Sequence, residues 1–415
     1  MRKCVIIALC ERRCSILDIV VDVLGWIAKI LVGYTTFMGI FCLLPKKKYP
    51  VVSPKTKFAI LLPARNEENV ISVIIKSLQN QDYPDELYDI YVIPNNCTDD
   101  TEGAALRAGA KVLHCASPVT TKGEVLHQIL DSLKGQYDGY CVFDSDNVVD
   151  SQFLARMNDA VCAGAKVAKS RQCALNPYDN WISGSYDLYF QGIHLLHSKA
   201  RMDFPLSAKL IGTGFMVTDE ILEKLGGWNT KTLTEDIEFA VQSALVGEKI
   251  WYVPDALTLD EEPISFVVSM RQRRRWSAGV QSVANKYTAK LLFSVPSWMR
   301  LDLLTHINMI YAQLLAIVPV VYGALKLPFL TAAATVGYAL GGFIVGGILM
   351  ALFLCVTGKR SPRKQWKAIM LYPIYLASWY PLHFWALFAK PKTWKYIPHG
   401  TAKSRQSIED SVNVK

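Results

Sequence analysis

The chain has 415 residues, of which 51% are hydrophobic and 20% are charged, with a mean hydropathy of +0.19 and a formal net charge of +9. This combination excludes a disordered or collagen-like chain and disfavours an ordinary soluble enzyme. It indicates a soluble domain joined to membrane spans, and the basic balance suggests either nucleic acid or anionic lipid as a partner.

The N-terminal segment, residues 1–56, contains an apolar stretch at 15–45 that only three charged residues interrupt. About 20 apolar residues suffice to cross a bilayer once. The lysine triplet at 46–48 follows, and such residues mark the cytoplasmic side of a span. We therefore predict one transmembrane helix here rather than a buried core helix, with the next domain in the cytosol.

Residues 57–262 alternate short apolar runs, such as 58–62 and 140–143, with longer amphipathic segments such as 121–133. This alternation predicts an α/β domain with a largely parallel sheet. Polar residues follow three of the predicted strands, at the sheet edge where such domains bind their ligands.

Amphipathic interface helices are predicted for residues 263–300, and a membrane region with about three apolar segments for residues 301–392. Pro373 and Pro381 could break the last segment into a re-entrant piece, which would return the polar tail, 393–415, to the cytosol. The sequence leaves the side of this tail open. Basic residues concentrate beside the apolar segments, without a basic face carrying stacking aromatics, so nucleic acid is disfavoured as a partner.

Two acidic motifs lie in the α/β domain. Asp144 and Asp146, one residue apart after a predicted strand, could hold a divalent ion against a diphosphate, although the same pattern occurs in surface turns. Thr234-Glu235-Asp236 precedes a helical run. It suits a helix N-cap, and it also suits a general base at Asp236. These last two interpretations are compatible.

A third motif, Gln272-Arg273-Arg274-Arg275-Trp276, is both basic and aromatic. Gln272, Arg275 and Trp276 are three and four residues apart and share one helix face. An arginine can contact a pyrophosphate and an indole can stack on a sugar ring. A basic helix on the membrane surface is the alternative interpretation.

In this order, between apolar segments, the three motifs resemble those of the membrane-integrated family 2 glycosyltransferases, such as hyaluronan, chitin-oligosaccharide, cellulose and poly-N-acetylglucosamine synthases. The resemblance covers about residues 55–285 for the catalytic domain. It implies a GT-A (Rossmann-like) α/β domain flanked by transmembrane helices, in a multi-pass protein of the cell membrane whose catalytic domain is cytosolic. It further implies inverting transfer from a UDP-sugar with Mg²⁺ or Mn²⁺.

The resemblance also assigns roles to individual residues. Asp236 is implied to be the catalytic base, and Asp144 and Asp146 the metal ligands. The implied nucleotide-sugar-binding residues are Pro63, Ala64, Arg65, Glu67, Asn95, Lys122, Asp144 and Asp146. The implied acceptor and diphosphate residues are Gly212, Thr213, Gly214, Glu235, Gln272, Arg275 and Trp276.

One implied nucleotide contact departs from the family pattern. The family usually places an acid at the end of the second strand, where it meets the uracil, and this chain has Asn95 there. An amide oxygen can still accept from the uracil N–H, but the amide can also turn and donate. We expect weaker uridine binding or an altered base preference.

The acceptor is the least determined part of the prediction. A growing polysaccharide, elongated processively and exported, is the first expectation. A lipid acceptor, as in ceramide or diacylglycerol glucosyltransferases, is the second expectation. About four spans are few for a polymer channel, which would then need a homo-oligomer or export partners. A catalytically silent export scaffold is the third. Residues 260–263 either border the cleft or form an exposed acidic turn, and His194 and His197 are structural or line the acceptor path.

Overall fold

A computed structural model describes the backbone of residues 2–46 and 48–388, with side chains from Ile16 onward. The predicted polar tail, 393–415, lies outside these residues. The strands are β1 (Phe58–Ala64), β2 (Tyr88–Pro94), β3 (Lys111–Val112), β4 (Gly139–Val142), β5 (Val148–Val149), β6 (Val167–Ala174), β7 (Phe215–Val217) and β8 (Trp251–Asp260).

Fourteen α-helices are described around and after this sheet. They are α1 (Arg2–Ile40), α2 (Ile71–Gln79), α3 (Thr101–Arg107), α4 (Lys122–Ser132), α5 (Phe153–Cys162), α6 (Trp181–Gly192), α7 (Asp219–Leu225), α8 (Glu235–Leu245), α9 (Phe266–Phe293), α10 (Trp298–Ile307), α11 (Met309–Leu325), α12 (Phe329–Thr357), α13 (Trp366–Ala377) and α14 (Trp379–Ala386).

The eight strands form one sheet in the order β3-β2-β1-β4-β7-β6-β8-β5. Strands β1 to β4, β6 and β8 run in one direction, whereas β7 and β5 run opposite to their neighbours. The predicted α/β domain with a largely parallel sheet is confirmed. The carboxyl ends of the six co-directional strands lie at one edge, where a ligand site is expected.

Each face of the sheet buries its own apolar layer. One layer joins the strands to α2 and α5 through residues such as Ile74 and Phe153. The other joins them to α4 and α8 through residues such as Leu126 and Phe239, and it includes Trp228. Trp228 is 1% exposed and stacks on Phe239 with ring centroids 4.1 Å apart, so it packs the core.

Among the described residues, one helix, α12, is long and apolar enough to cross a membrane. Helices α10 and α11 would add a second span if this pair, bent by 61°, is counted as one. The predicted N-terminal stretch, 15–45, overlaps the 39-residue helix α1, which ends at Ile40. The expectation of about four spans is therefore not confirmed by length and composition.

The prediction of a third C-terminal span as one continuous helix is not confirmed. The apolar stretch 369–389 forms two short helices, α13 and α14, of 12 and 8 residues, which meet at Ser378. At ~1.5 Å per residue neither reaches the ~30 Å of a hydrocarbon core. Pro381 has no N–H to donate to Ala377, so it can stand in the first turn of α14 but cannot continue α13.

A buried ion pair joins the α/β domain to the later helices. Arg201 Nε lies 2.7 Å from Asp302 Oδ2, both side chains are fully buried, and Arg201 Nη2 donates to Asp302 Oδ1 at 2.9 Å. Tyr34 of α1 donates to the same carboxylate at 2.9 Å. Segments before, within and after the α/β domain therefore meet at one carboxylate.

Candidate active site

The predicted motifs converge on one cavity of about 520 Å³ at the carboxyl edge of the sheet. Of the sixteen site residues predicted from the sequence, fifteen line it: Pro63, Ala64, Arg65, Glu67, Asn95, Lys122, Asp144, Asp146, Gly212, Thr213, Glu235, Asp236, Gln272, Arg275 and Trp276. Segments more than 200 residues apart in the chain therefore share one chamber.

Gly214 is the exception and does not line the cavity. Its backbone has φ +61°, its N–H donates to the Val142 carbonyl at 2.9 Å, and a Cβ there would lie 2.5 Å from Thr258 Oγ1. The left-handed backbone and the close packing between strands both require glycine. Its implied place among the acceptor and diphosphate residues is corrected to a place inside the sheet.

Lys122, the first residue of α4, lies at the centre of the site. The preceding Thr121 and Glu124 form a capping box that fixes the start of this helix. Lys122 Nζ donates to Asp144 Oδ1 at 2.6 Å and to the Gly212 carbonyl at 2.7 Å. Burial alone would lower the pKa of Lys122, but the nearby carboxylates, Asp144 foremost, raise it, so the ammonium stays charged.

Asp236 is held by backbone donors at the start of α8. Its Oδ2 accepts from Gly212 N at 2.5 Å and its Oδ1 from Ile237 N at 2.7 Å, and the residue is only 8% exposed. Burial raises the pKa of Asp236 above its usual value, while the two N–H groups and Lys122 oppose that rise. A fixed carboxylate with a raised pKa suits a general base.

Glu235, beside it, is the second buried acid of this motif. Burial, then the charge of Asp236, raises the pKa of Glu235 to about 7, and Lys122 Nζ at 3.9 Å opposes the shift. Lys122 therefore supplies counter-charge to both carboxylates.

A second acidic group borders the cavity beyond Asp146. Asn147 Nδ2 donates to Asp260 Oδ1 at 3.0 Å, and Glu262, 3% exposed, lines the chamber beside them. Burial, then the charges of Asp260 and Asp146, raise the pKa of Glu262 well above its usual value. Of the two interpretations of residues 260–263, the cleft border is therefore correct.

This acidic wall is chemically suited to a divalent cation. Carboxylates that repel one another favour a cation with oxygen ligands. Within residues 16–46 and 48–388, however, no group of three or more His, Cys, Asp or Glu side chains could hold a metal ion by itself. A bound Mg²⁺ or Mn²⁺ would therefore need oxygens from substrate and water, as Mg²⁺ sites with phosphates commonly do.

The arginine-tryptophan motif lies on α9, as the helical spacing predicts. Gln272 Oε1 accepts from the Tyr186 hydroxyl at 2.8 Å, and Arg275 lines the cavity with a buried Nε that has no hydrogen-bond partner. Trp276 stacks with Trp379, with ring centroids 6.4 Å apart. Arg273 is instead fully buried and donates to Ser378 Oγ at 2.7 Å, where α13 meets α14.

The nucleotide end of the cavity is built by the ends of β1 and β2. Asn95 N donates to the Ala64 carbonyl at 2.8 Å, and Arg65 Nε donates to the Asn95 carbonyl at 3.1 Å. Asn66 has φ +59° and its side chain accepts from Thr98 N at 2.7 Å. The loop after β1 is thus bound to the backbone of the loop after β2. Neither the Ala64 nor the Arg65 contact involves the Asn95 side chain.

The opposite end of the cavity is mostly apolar and was not predicted. Its lining comes largely from α9 and the helices that follow, including Val268, Val280, Met309, Ile310, Leu376 and Trp379. Lys209, beside them, is the main charged exception, and burial lowers its pKa to about 8. A hydrophobic pattern in sequence could not separate these residues from ordinary packing residues.

Two buried basic side chains lie outside the predicted motifs. Lys169 is fully buried under the floor, donates to the Thr213 carbonyl at 2.5 Å, and has its pKa lowered by burial to about 7. His194 Nε2 accepts from Gln172 N at 2.9 Å. Of the two roles predicted for His194, the structural one is therefore correct.

Residues 54–279 match the family model described as "Glycosyltransferase like family 2". The chain belongs to this family. It is therefore a glycosyltransferase. The family match agrees with the resemblance inferred from the three motifs, and it leaves the acceptor class undefined.

Curated relatives share this domain. The chain is 31% identical to "Probable glycosyltransferase YdaM" of Bacillus subtilis, over 56% of this chain and 57% of that protein. It is 25% identical to "Beta-monoglucosyldiacylglycerol synthase" of Synechocystis, over 87% of this chain and 78% of that protein.

One solved structure shares the GT-A-like fold over most of the chain. This structure, a mannosyltransferase from Pyrobaculum calidifontis in complex with GDP-Man and Mn²⁺, has a TM-score of 0.57 and 17% identity. The alignment covers 86% of this chain and 99% of that one. The similarity confirms the predicted fold of the catalytic domain.

Proposed function

We propose that this glycosyltransferase moves a sugar from a UDP-sugar to a hydroxyl group of a membrane lipid. The observation that carries this proposal is the mixed polar and apolar lining of the cavity. Its polar end holds Lys122, Asp144 and Asp146, its apolar end lies among α9 and the later helices, and Asp236 lies on its lining. A donor with a charged diphosphate and an acceptor with an apolar body suit these two ends.

The apolar end supports a lipid over a free sugar as acceptor. Met309, Ile310 and Leu376 offer no hydrogen bonds to a hydrophilic chain, whereas they can contact acyl groups. The relative aligned over 78% of its length carries the name of a glucosyldiacylglycerol synthase, which agrees with this choice.

A growing polysaccharide is the second candidate acceptor. The stacked indoles of Trp276 and Trp379 line the same end of the cavity and could hold a sugar ring. Processive elongation and export remain predictions of this second candidate.

The chain's own residues supply a direct displacement. Asp236 takes the proton of the acceptor hydroxyl while that oxygen bonds to the anomeric carbon. The bond from this carbon to the diphosphate oxygen breaks at the same time, and UDP leaves with the electron pair. Lys122 and Arg275 stabilise the negative charge that develops on the diphosphate. Attack opposite the leaving group inverts the anomeric centre.

A divalent cation fits the acidic wall of the cavity. Asp146 and Asp144 are the proposed ligands, with Asp146 first because Lys122 already bonds one oxygen of Asp144. When bound, Mg²⁺ or Mn²⁺ would neutralise part of the diphosphate charge.

We further propose that the protein is a multi-pass protein of the cell membrane with its catalytic domain in the cytosol. Helix α12 is the strongest span, and the bent pair α10–α11 is the next. The basic loop after α12 contacts the catalytic domain, since Arg360 Nη2 lies 2.8 Å from Asp187. The positive-inside rule then supports a cytosolic position for the basic loop and for the catalytic domain. Oligomer formation stays a prediction.

The test uses purified full-length protein in vesicles with Mn²⁺ or Mg²⁺ and a panel of UDP-glucose, UDP-N-acetylglucosamine, UDP-galactose and GDP-mannose. With diacylglycerol or ceramide present, radiolabelled sugar should enter the organic phase. Asp236→Asn should reduce this transfer about 10²–10⁴-fold, because a general base contributes that much. Asp255→Asn, at an exposed acid of β8, is the matched control and should leave it unchanged.

Two results would contradict the lipid proposal. A labelled aqueous polymer of high mass would favour the second candidate. Failure of every donor to transfer sugar to any acceptor would refute both candidates.

A further inference from the structure

The buried polar atoms that line the cavity without a hydrogen-bond partner include two acceptor oxygens. They are Oε1 of Glu262 and Oε1 of Gln172, in residues that are 3% and 4% exposed. Buried polar atoms are normally satisfied, and leaving one unpaired costs about 1–3 kcal/mol. Their position in a cavity wall indicates that a ligand supplies the missing donors.

The orientation of both groups is fixed by their neighbours. Gln172 Nε2 donates to Asp260 Oδ2 at 2.8 Å, so its amide oxygen is the end left for an acceptor role. Asn176 exchanges two hydrogen bonds with the backbone of Glu262, both at 2.9 Å. The Gln172 amide is therefore oriented, and the backbone that carries Glu262 is held in place, before a ligand arrives.

This wall is connected to the catalytic floor. Asn147 bonds Asp260 through its amide nitrogen and Thr213 through its amide oxygen. Thr213 follows Gly212, whose N–H is bonded to the catalytic Asp236. The two unpaired oxygens thus belong to the same rigid network as the proposed base, on the side of Asp146.

We propose that Glu262 and Gln172 bind hydroxyl groups of the transferred sugar and determine which sugar the enzyme accepts. The inference rests on the proposed function, since it assumes a nucleotide-sugar donor in this cavity. A sugar hydroxyl both donates and accepts, so it can pair with the Gln172 amide oxygen and with the Glu262 carboxyl in either protonation state. A site built to bond a hydroxyl discriminates strongly against the analogue that lacks it.

The alternative ligand for such oxygens is a metal ion. Glu262 and Gln172 contribute only one carboxylate between them, and the described residues contain no group of three His, Cys, Asp or Glu side chains able to hold a metal. A sugar is therefore the better match, and the metal becomes an outcome of the test.

The experiment compares kcat/KM for UDP-glucose, or the active donor of the panel, with its 2-, 3-, 4- and 6-deoxy forms. Glu262→Met removes the acceptor while keeping side-chain length. Glu262→Met should lower kcat/KM for the parent donor at least about tenfold. For one deoxy donor, kcat/KM should equal the value that the wild-type protein has with the same donor. Gln172→Met should lower kcat/KM in the same way, with the wild-type value kept for the same deoxy donor or for another one. If Glu262→Met does not fold, Gln172→Met still tests the proposal.

The dissociation constant of UDP, measured with Mn²⁺, separates sugar binding from metal binding. It should stay within about twofold of the wild-type value in both variants, because UDP has no sugar hydroxyls of the transferred group. Glu223→Met, at an exposed acid of α7, is the control for the substitution itself.

Three results would overturn the proposal: equal losses for the parent and every deoxy donor, weaker UDP binding that follows the Mn²⁺ concentration, or no loss with the parent donor. If the wild-type protein transfers sugar but the variants do not discriminate, only this inference fails. If the wild-type protein binds no UDP-sugar and transfers none, the proposed function fails with it.

Discussion

Replacing Lys122 by Met removes the cation that two buried acids share. Lys122 Nζ lies 2.6 Å from Asp144 Oδ1 and 3.9 Å from Glu235 Oε1, and it also opposes the rise in the pKa of Asp236. Met keeps most of the side-chain volume, so α4 and its capping box should remain. The change is therefore chiefly electrostatic.

The size of the effect follows from Coulomb's law. At the 3.9 Å separation of Lys122 and Glu235, an effective dielectric constant of about 20 gives an interaction of about 4 kcal/mol. Because one pKa unit corresponds to ~1.4 kcal/mol, removing the charge can raise a neighbouring carboxyl pKa by up to about 3 units. We expect a larger protonated fraction of the base at neutral pH, and sugar transfer at pH 7 to fall about 10–100-fold.

The assay is UDP release as a function of pH, from about pH 5 to 10. The acid limb of kcat/KM reports the base in the free enzyme, so it should move upward by about 1–3 units and part of the lost activity should return at high pH. Lys111→Met removes a lysine that also lies 2.6 Å from a carboxylate, Asp89, but is 60% exposed. Screening by water should make this control variant silent.

An unchanged acid limb in Lys122→Met would refute the electrostatic account. Lower activity with the same pH profile would then mean that the lysine acts only on the diphosphate.

Two further predictions concern stability, measured by thermal unfolding in detergent. The pKa of Glu235 is about 7 in the folded protein, above its unfolded value, so folding favours the protonated form and stability falls as pH rises from about 4.5 to 7. Glu235→Gln should therefore stabilise the protein at pH 8 and have little effect at pH 4.5; the same change at both pH values would contradict this. Arg201→Met should destabilise it by about 3–5 kcal/mol, because Asp302 is left as a buried unpaired charge. Tyr34→Phe removes one hydrogen bond to Asp302 and should cost about 1 kcal/mol, and an equal loss in both variants would argue against a charge effect.

The polar half of the site was predictable because each of its motifs is local. The Asp144–Asp146 pair follows a strand, and the Thr234–Asp236 segment begins a helix, so short-range patterns alone bring these residues to the edge of the sheet. Strand direction was also readable, since alternating strands and helices imply parallel crossovers.

The apolar half was not predictable, for a physical reason. Ile310 and Leu376 are 66 positions apart in apolar segments where nearly every neighbour has the same chemistry. Only tertiary packing selects the few that face the cavity. The same holds for Glu262 and Gln172, which are 90 residues apart and become significant only as unpaired atoms in one wall.

The net charge of +9 had suggested contacts with lipid or nucleic acid. Several arginines instead form hydrogen bonds or ion pairs inside the protein. Arg201 bonds Asp302, Arg273 bonds Ser378, Arg300 bonds the carbonyls that end α8, and Arg360 bonds Asp187. Three of these contacts join the α/β domain to α10 or to the α12–α13 loop, and that of Arg273 joins α9 to the α13–α14 junction. Sliding the domain against the later helices would leave buried charges unpaired, at several kcal/mol each. We infer that the domain and these helices move together, so the two sides of the cavity keep a fixed spacing.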